Sequence, residues 1–70
     1  MSKDHEVTIN GEPREVPEGL TVTALLVHLA IALDRVAIER NSNILPRTEW
    51  DRTQVSAGDR FEIVHLVGGG

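Results

Sequence analysis

The residues best suited to covalent chemistry are three consecutive glycines, Gly68, Gly69 and Gly70, which follow an apolar run and close the sequence. Three extended residues span at most about 10 Å. Because they carry no side chains, they could thread a narrow channel and bring a terminal carboxylate into another protein's active site. A carboxylate placed there could attack the α-phosphate of ATP, giving an acyl-adenylate open to a nucleophile. The other interpretation is an ordinary frayed terminus.

A second candidate site lies on the apolar run that precedes the glycines. Alternation over 61–67 predicts a strand whose two faces differ. Phe61 and Ile63 are expected to face the core, which places other aliphatic side chains on the opposite face. Exposed aliphatic residues at adjacent outward positions indicate a partner-binding surface, although a loop could cover them or they could be ordinary edge residues. The predicted partner-binding residues are Glu62, Val64, Leu66 and Val67.

Other site chemistry finds little support. The chain has no cysteine, which excludes disulfides, a thiolate nucleophile and cysteine-ligated metal. Its three histidines are scattered, so we predict no metal site and no bound cofactor. Trp50 is expected to pack over the core, and Asp59 to cap a turn. The sequence leaves open whether acids of this chain or a partner pair with Arg40, Arg47 and Arg60.

Length and charge narrow the function classes. A chain of seventy residues forms one domain, which has too few secondary-structure elements to enclose the deep pocket of a self-contained enzyme. The net charge of −4 argues against nucleic-acid binding. The longest apolar stretch, 29–33, is far short of a membrane span, and the polar start does not read as a signal peptide. We therefore expect a cytoplasmic protein that binds neither nucleic acid nor membrane.

The first elements that would position these residues are a hairpin and a helix. Alternation over 6–9 predicts a strand, and Asn10-Gly11 predicts a type I′ turn into a return strand over 12–16. Pro13 cannot donate to a ladder, which favours a sheet edge for the return strand. Thr21 is a candidate N-cap for a helix whose apolar stripe predicts an end near Asp34.

Two or three further strands complete the predicted fold. A strand is expected over 36–40, a very short one or a crossing at Ile44-Leu45, and a last strand over 61–67. The whole is an α+β fold, a mixed sheet of four to five strands with one main helix on one face. A helix crossing from an edge hairpin back to the sheet is how a β-grasp domain is built. We predict one such domain over 1–67 and a flexible glycine tail over 68–70.

Several segments, taken in their order along the chain, match the pattern of one known family. They are Val7-Thr8-Ile9-Asn10-Gly11, Thr21-Val22, Leu25-Leu26, Val36-Ala37-Ile38-Glu39-Arg40-Asn41, Ile44-Leu45-Pro46-Arg47, Trp50, Gly58-Asp59-Arg60-Phe61-Glu62-Ile63-Val64 and the terminal glycines. With these segments the chain resembles the thiamine-biosynthesis sulfur carrier proteins of the ubiquitin-like β-grasp superfamily, over nearly the whole chain from 6 to 70. It departs from them in a short polar N-terminal extension and a third terminal glycine.

The resemblance implies a specific role for the glycine end. The carboxylate of Gly70 would be adenylated by an E1-like partner enzyme that uses ATP and magnesium. Sulfur from a donor such as a cysteine desulfurase would then replace AMP and leave a thiocarboxylate. Thiazole synthase would take this sulfur into the thiamine thiazole. The chain would be a co-substrate rather than an enzyme, and a monomer when free.

Related carriers and a different class remain as alternatives. The sulfur carrier of molybdopterin synthase, or one serving tRNA thiolation or cysteine synthesis, would share the tail chemistry and differ in the acceptor. A ubiquitin-like modifier or binding module would instead dock through Val64 and Leu66 and conjugate to lysines. A regulatory β-grasp domain would not need the tail.

Overall fold

The fold is a five-stranded mixed sheet with one main helix against it, and the computed structural model describes residues 3–66. Along the sheet the order is β2-β1-β5-β3-β4, with β1 and β5 parallel and the other pairs antiparallel. This confirms the predicted α+β, ubiquitin-like β-grasp class. The elements are β1 (Asp4–Ile9), β2 (Glu12–Pro17), α1 (Val22–His28), a first 3₁₀ helix (Leu33–Arg35), β3 (Val36–Arg40), β4 (Asn43–Leu45), a second 3₁₀ helix (Arg47–Arg52) and β5 (Arg60–His65).

The first hairpin forms as its turn residues require. Asn10 has φ 51° and Gly11 has φ 84°, the positive angles of a type I′ turn. Strand β2 lies at one edge of the sheet, where Pro13, opposite Thr8, need not donate to a further strand. The turn and the edge position predicted from the sequence are both confirmed.

Helix α1 begins at the predicted N-cap. The hydroxyl of Thr21 accepts a hydrogen bond from the backbone N–H of Ala24 at 3.1 Å, satisfying one of the free donors of the first turn. Three side chains of the helix are fully buried against the sheet, Val22, Leu25 and Leu26.

The predicted end of this helix near Asp34 was wrong, because the helix stops at His28. Ala30 adopts a left-handed conformation with φ 59°. Its N–H donates to the carbonyl of Val27 at 3.0 Å, and the N–H of Ile31 donates to that of Leu26 at 2.9 Å. These two bonds form a Schellman motif, which satisfies the last carbonyls and turns the chain away. The apolar pattern in the sequence extends beyond the helix because Ile31 and Leu33, which follow it, also pack on the core.

The core between helix and sheet is almost wholly aliphatic. Trp50, 4% exposed, covers one side of it, and its indole N–H donates to the carbonyl of Leu45 at 3.1 Å. This confirms the packing role predicted for it. Over residues 3–66, no helix has the length and apolar character needed to cross a membrane. The buried apolar residues are Val7, Ile9, Val16, Val22, Leu25, Leu26, Val36, Ile38, Trp50, Val55, Phe61 and Ile63.

Candidate functional site

Strand β5 leads toward the glycine end and lies at the centre of the sheet, between β1 and β3. The predicted reactive residues, Gly68, Gly69 and Gly70, lie outside the described residues, as does Val67. The last described backbone contact is the N–H of Leu66, which donates to the carbonyl of Arg35 at 2.8 Å. The chain therefore leaves the sheet beside the end of the first 3₁₀ helix.

The start of β5 is held by a buried carboxylate. Asp59 is 5% exposed and accepts three hydrogen bonds, one each from Arg40, Asn41 and Ser56. The Nε and Nη2 atoms of Arg40 each lie 3.0 Å from its Oδ2, and the backbone N–H of Ser56 lies 2.8 Å from the same oxygen. The amide of Asn41 donates to Oδ1 at 3.1 Å. Asp59 thus caps the turn as predicted, and the partner of Arg40, left open by the sequence, is an acid of this chain.

The same network reaches the backbone of β5. The side-chain oxygen of Asn41 accepts from the N–H of Arg60 at 2.9 Å, while its own N–H donates to the carbonyl of Arg60 at 2.7 Å. Arg60 itself is exposed. Arg47 lies over the ring of Trp50, with its guanidinium carbon 5.5 Å from the ring centroid, a cation–π geometry.

The middle of β5 is held by Asn10. Its backbone N–H donates to the carbonyl of Phe61 at 2.8 Å. Its side-chain oxygen accepts from the N–H of Ile63 at 2.7 Å, and its side-chain nitrogen donates to the carbonyl of Ile63 at 3.1 Å. The carboxamide replaces the peptide group that β1 no longer supplies once its chain has turned. The sequence indicated Asn10 only as a turn residue, and nothing local points to a bond across 53 residues.

The face of the sheet opposite the helix carries the predicted partner surface. Phe61 and Ile63 are buried on the helix side, as predicted, at 1% and 5% exposure. Val64 and Leu66 are 57% and 53% exposed, and Glu62 is exposed. These positions therefore present aliphatic surface to solvent, as the alternation required.

The structure adds one large apolar residue that the sequence analysis missed. Ile44 of β4 is 78% exposed and lies on the same side of the sheet as Val64. Ala37 lies directly opposite Val64 across β3 and β5. The signal was present in Ile44-Leu45, because adjacent residues of a strand face opposite sides and one of the two must point outward. A shallow hollow of about 150 Å³ opens here, lined by Ala37, Ile38, Glu39, Ile44, Glu62 and Val64.

No group of three histidine, aspartate or glutamate side chains in the described part of the chain is arranged to hold a metal ion. The start of β5 is fixed by hydrogen bonds, its last side chains are exposed, and an apolar hollow bordered by carboxylates lies beside them. Such a surface suits recognition by another protein.

Residues 7–70 match the family model described as the ThiS family. This chain belongs to the ThiS family. The crystal structure of a thiamine biosynthesis protein (ThiS) from Geobacter metallireducens has a TM-score of 0.80 and 40% identity, covering 93% of this chain and 99% of that one. The resemblance inferred from the sequence motifs is thereby confirmed.

Two further relatives are similar to this ThiS-family chain, one much longer than it and one of about the same length. A thiazole synthase from Paramagnetospirillum magneticum (strain ATCC 700264 / AMB-1) is 42% identical over 65 residues, which are 93% of this chain and 20% of that protein. The protein ycf40 of Porphyra purpurea is 39% identical over 70 residues and matches end to end, at 100% of this chain and 99% of that protein. The chain thus spans about a fifth of the length of the thiazole synthase it matches.

Proposed function

We propose that this protein is a sulfur carrier for synthesis of the thiamine thiazole. The observation that carries the proposal is the ThiS-family match, which extends over 7–70 and so includes the three glycines. Support for the pathway comes from the names of the relatives, a thiamine biosynthesis protein and a thiazole synthase.

The proposed chemistry takes place at the carboxylate of Gly70. An adenylating enzyme with ATP and magnesium joins this carboxylate to AMP and releases pyrophosphate. The terminal sulfur of a persulfide, supplied by a donor such as a cysteine desulfurase, attacks the adenylated carbonyl and displaces AMP. A thiol then reduces the acyl disulfide that results, which leaves the thiocarboxylate on the carrier and a disulfide between the thiol and the donor. In this scheme the chain is a co-substrate and supplies no catalytic group. The chain itself contributes the position of β5, which hydrogen bonds of Asp59 and Asn10 fix.

Thiazole synthase is the proposed acceptor of the sulfur. In the Paramagnetospirillum relative a region similar to this chain accounts for a fifth of a protein named thiazole synthase, which supports a direct relationship between the two. The partner surface would be the exposed side chains Glu62, Val64 and Leu66, together with Val67. We further propose that the free carrier is a cytoplasmic monomer.

Intact-mass measurement tests the proposal directly. The protein is incubated with ATP, magnesium, the adenylating enzyme of the same organism and sulfide, and we expect the mass gain of one oxygen replaced by sulfur. A variant lacking Gly69 and Gly70 is the matched control and should not gain mass. If the full chain forms neither adenylate nor thiocarboxylate, the carrier function is wrong.

A second stage of the same assay identifies the acceptor. The thiocarboxylate form is mixed separately with thiazole synthase and with the large subunit of molybdopterin synthase, and its return to the carboxylate mass is followed. Consumption by thiazole synthase alone is the expected result. Consumption only by the molybdopterin enzyme would move the protein to the related carrier class.

A further inference from the structure

Two carboxylates face each other on the open side of the sheet. Glu39 of β3 and Glu62 of β5 are directly opposite in the antiparallel pair, and both are exposed. Like charges in this arrangement destabilise a sheet. Within residues 3–66 the ion pairs join Arg40 to Asp59 and Arg52 to Glu49, so neither Glu39 nor Glu62 is paired there.

The same carboxylates border the apolar hollow. Glu39 is also directly opposite Ile44 of β4, and Glu62 shares the hollow with Val64. Ile44 and Val64 are 78% and 57% exposed. Burial of these side chains against a partner would remove apolar surface from water, which favours binding. An apolar surface and two unpaired acids therefore stand side by side, and a single partner surface could satisfy both.

A second glutamate pair on the sheet serves as an internal comparison. Glu6 of β1 is directly opposite Glu15 of β2, and both are exposed. Neither lines the hollow, and the neighbouring positions on the same face carry no large aliphatic side chain, being Asp4, Thr8, Pro13 and Pro17. Only the pair formed by Glu39 and Glu62 combines like charge with exposed aliphatic side chains.

We propose that an arginine of thiazole synthase inserts between Glu39 and Glu62, while an apolar side chain next to it fills the hollow against Ile44 and Val64. A guanidinium is planar and can donate to two carboxylates at once, which a lysine ammonium does less well. The inference rests on the proposed function, because it takes the acceptor enzyme as the occupant. The net charge of −4 favours a positively charged partner in the same sense.

Two matched double variants test this inference. Glu39→Gln with Glu62→Gln removes the pair beside the hollow, and Glu6→Gln with Glu15→Gln removes the pair away from it. Both variants should melt at or above the temperature of the parent, since each relieves like-charge repulsion. Affinity for purified thiazole synthase of the same organism, measured by titration calorimetry, should fall at least about tenfold for the first variant and stay unchanged for the second.

The outcomes distinguish failure of this inference from failure of the proposed function on which it rests. If the two variants bind thiazole synthase equally well, the arginine site is wrong, whether both match the parent or both lose affinity. Conversion to the thiocarboxylate is followed by mass in parallel. Failure of the parent to convert contradicts the proposed function itself, whereas normal conversion with unchanged affinity of the first variant overturns only the inference. Loss of conversion in that variant with full affinity for thiazole synthase would place the adenylating enzyme on this surface instead and overturn it too.

Discussion

The two ends of strand β5 are held in different ways. At its start, the buried carboxylate of Asp59 accepts bonds from Arg40, Asn41 and Ser56. Past Ile63 the side chains of β5 are exposed, and its backbone is paired with β3, as far as His65 opposite Val36, before the N–H of Leu66 donates to Arg35. Asn10 marks the boundary, because its carboxamide is bonded to the last buried residue of the strand.

This difference predicts that one end of the strand serves folding and the other serves recognition. Pairing with both neighbouring strands and the side-chain bonds of Asp59 and Asn10 hold β5 where it enters the sheet, and the exposed aliphatic side chains follow directly after them. In the proposed function other proteins act on the end of the chain, and a strand held in this way would fix where that end can reach. Substitutions at the start of β5 should therefore change stability, and substitutions at its end should change binding.

Of the substitutions that remove hydrogen bonds from β5, Asp59→Ala should have the largest effect on stability. It leaves Arg40 and the backbone of Ser56 without their acceptor, and we expect a loss of about 2–3 kcal/mol in the free energy of unfolding. For a domain of this size that is a fall of roughly 10–20 °C in Tm, measured by circular dichroism. Asp59→Asn, which keeps an acceptor oxygen, should lose less, and the exposed Asp34→Ala should change little. Equal melting of Asp59→Ala and the parent would show that the network contributes nothing.

Asn10→Ala should have the next largest effect, about 1–2 kcal/mol, because it loses two hydrogen bonds to Ile63 and places alanine at φ 51°. Asn10→Gly separates these causes, since glycine adopts that angle freely. Chemical denaturation should place the glycine variant between alanine and the parent, and the amide of Ile63 should exchange faster with deuterium in both. A glycine variant as stable as the parent, with slow exchange at Ile63, would argue against the bonds of Asn10.

The parts of the fold predicted from the sequence are those set by neighbouring residues. The Asn10-Gly11 turn, the cap at Thr21 and the strand Val36–Arg40 each depend on a few adjacent side chains, and each was confirmed. The end of α1 was not predictable, because the left-handed residue is Ala30, which gives no turn signal. Leu33 continues the apolar stripe of the predicted helix, but it belongs to the first 3₁₀ helix and not to α1.

For the same reason, some features of the candidate site were predicted from the sequence and others were not. Exposure of Val64 and Leu66 followed from period two once Phe61 and Ile63 were assigned to the core. That Ile44 rather than Leu45 is the outward residue depended on the register of β4 against β3, which the dipeptide alone does not specify. Likewise the opposition of Glu39 and Glu62 depends on the register of two strands far apart in sequence.

Val64→Asp and Leu66→Asp should leave stability within about 1 kcal/mol of the parent, since both side chains are already more than half exposed. Both should weaken binding to the adenylating enzyme and to thiazole synthase, as measured by titration calorimetry. Ile63→Asp is the control from the same strand, and it should abolish the cooperative melt because its side chain is 5% exposed. Loss of cooperative melting in Val64→Asp would mean that the two faces of β5 are assigned the wrong way round.

Deletion of Gly69 and Gly70 should have the smallest effect on stability and the largest on function. Glycine has no side chain to bury, so the free energy of unfolding should stay within about 0.5 kcal/mol of the parent by chemical denaturation. The same variant should bind the partners through Val64 and Leu66 yet form no thiocarboxylate, because the carboxylate no longer reaches the adenylating site. Normal thiocarboxylate formation on the shortened chain would contradict this separation, and so would a shift of its denaturation midpoint as large as that of Asn10→Ala.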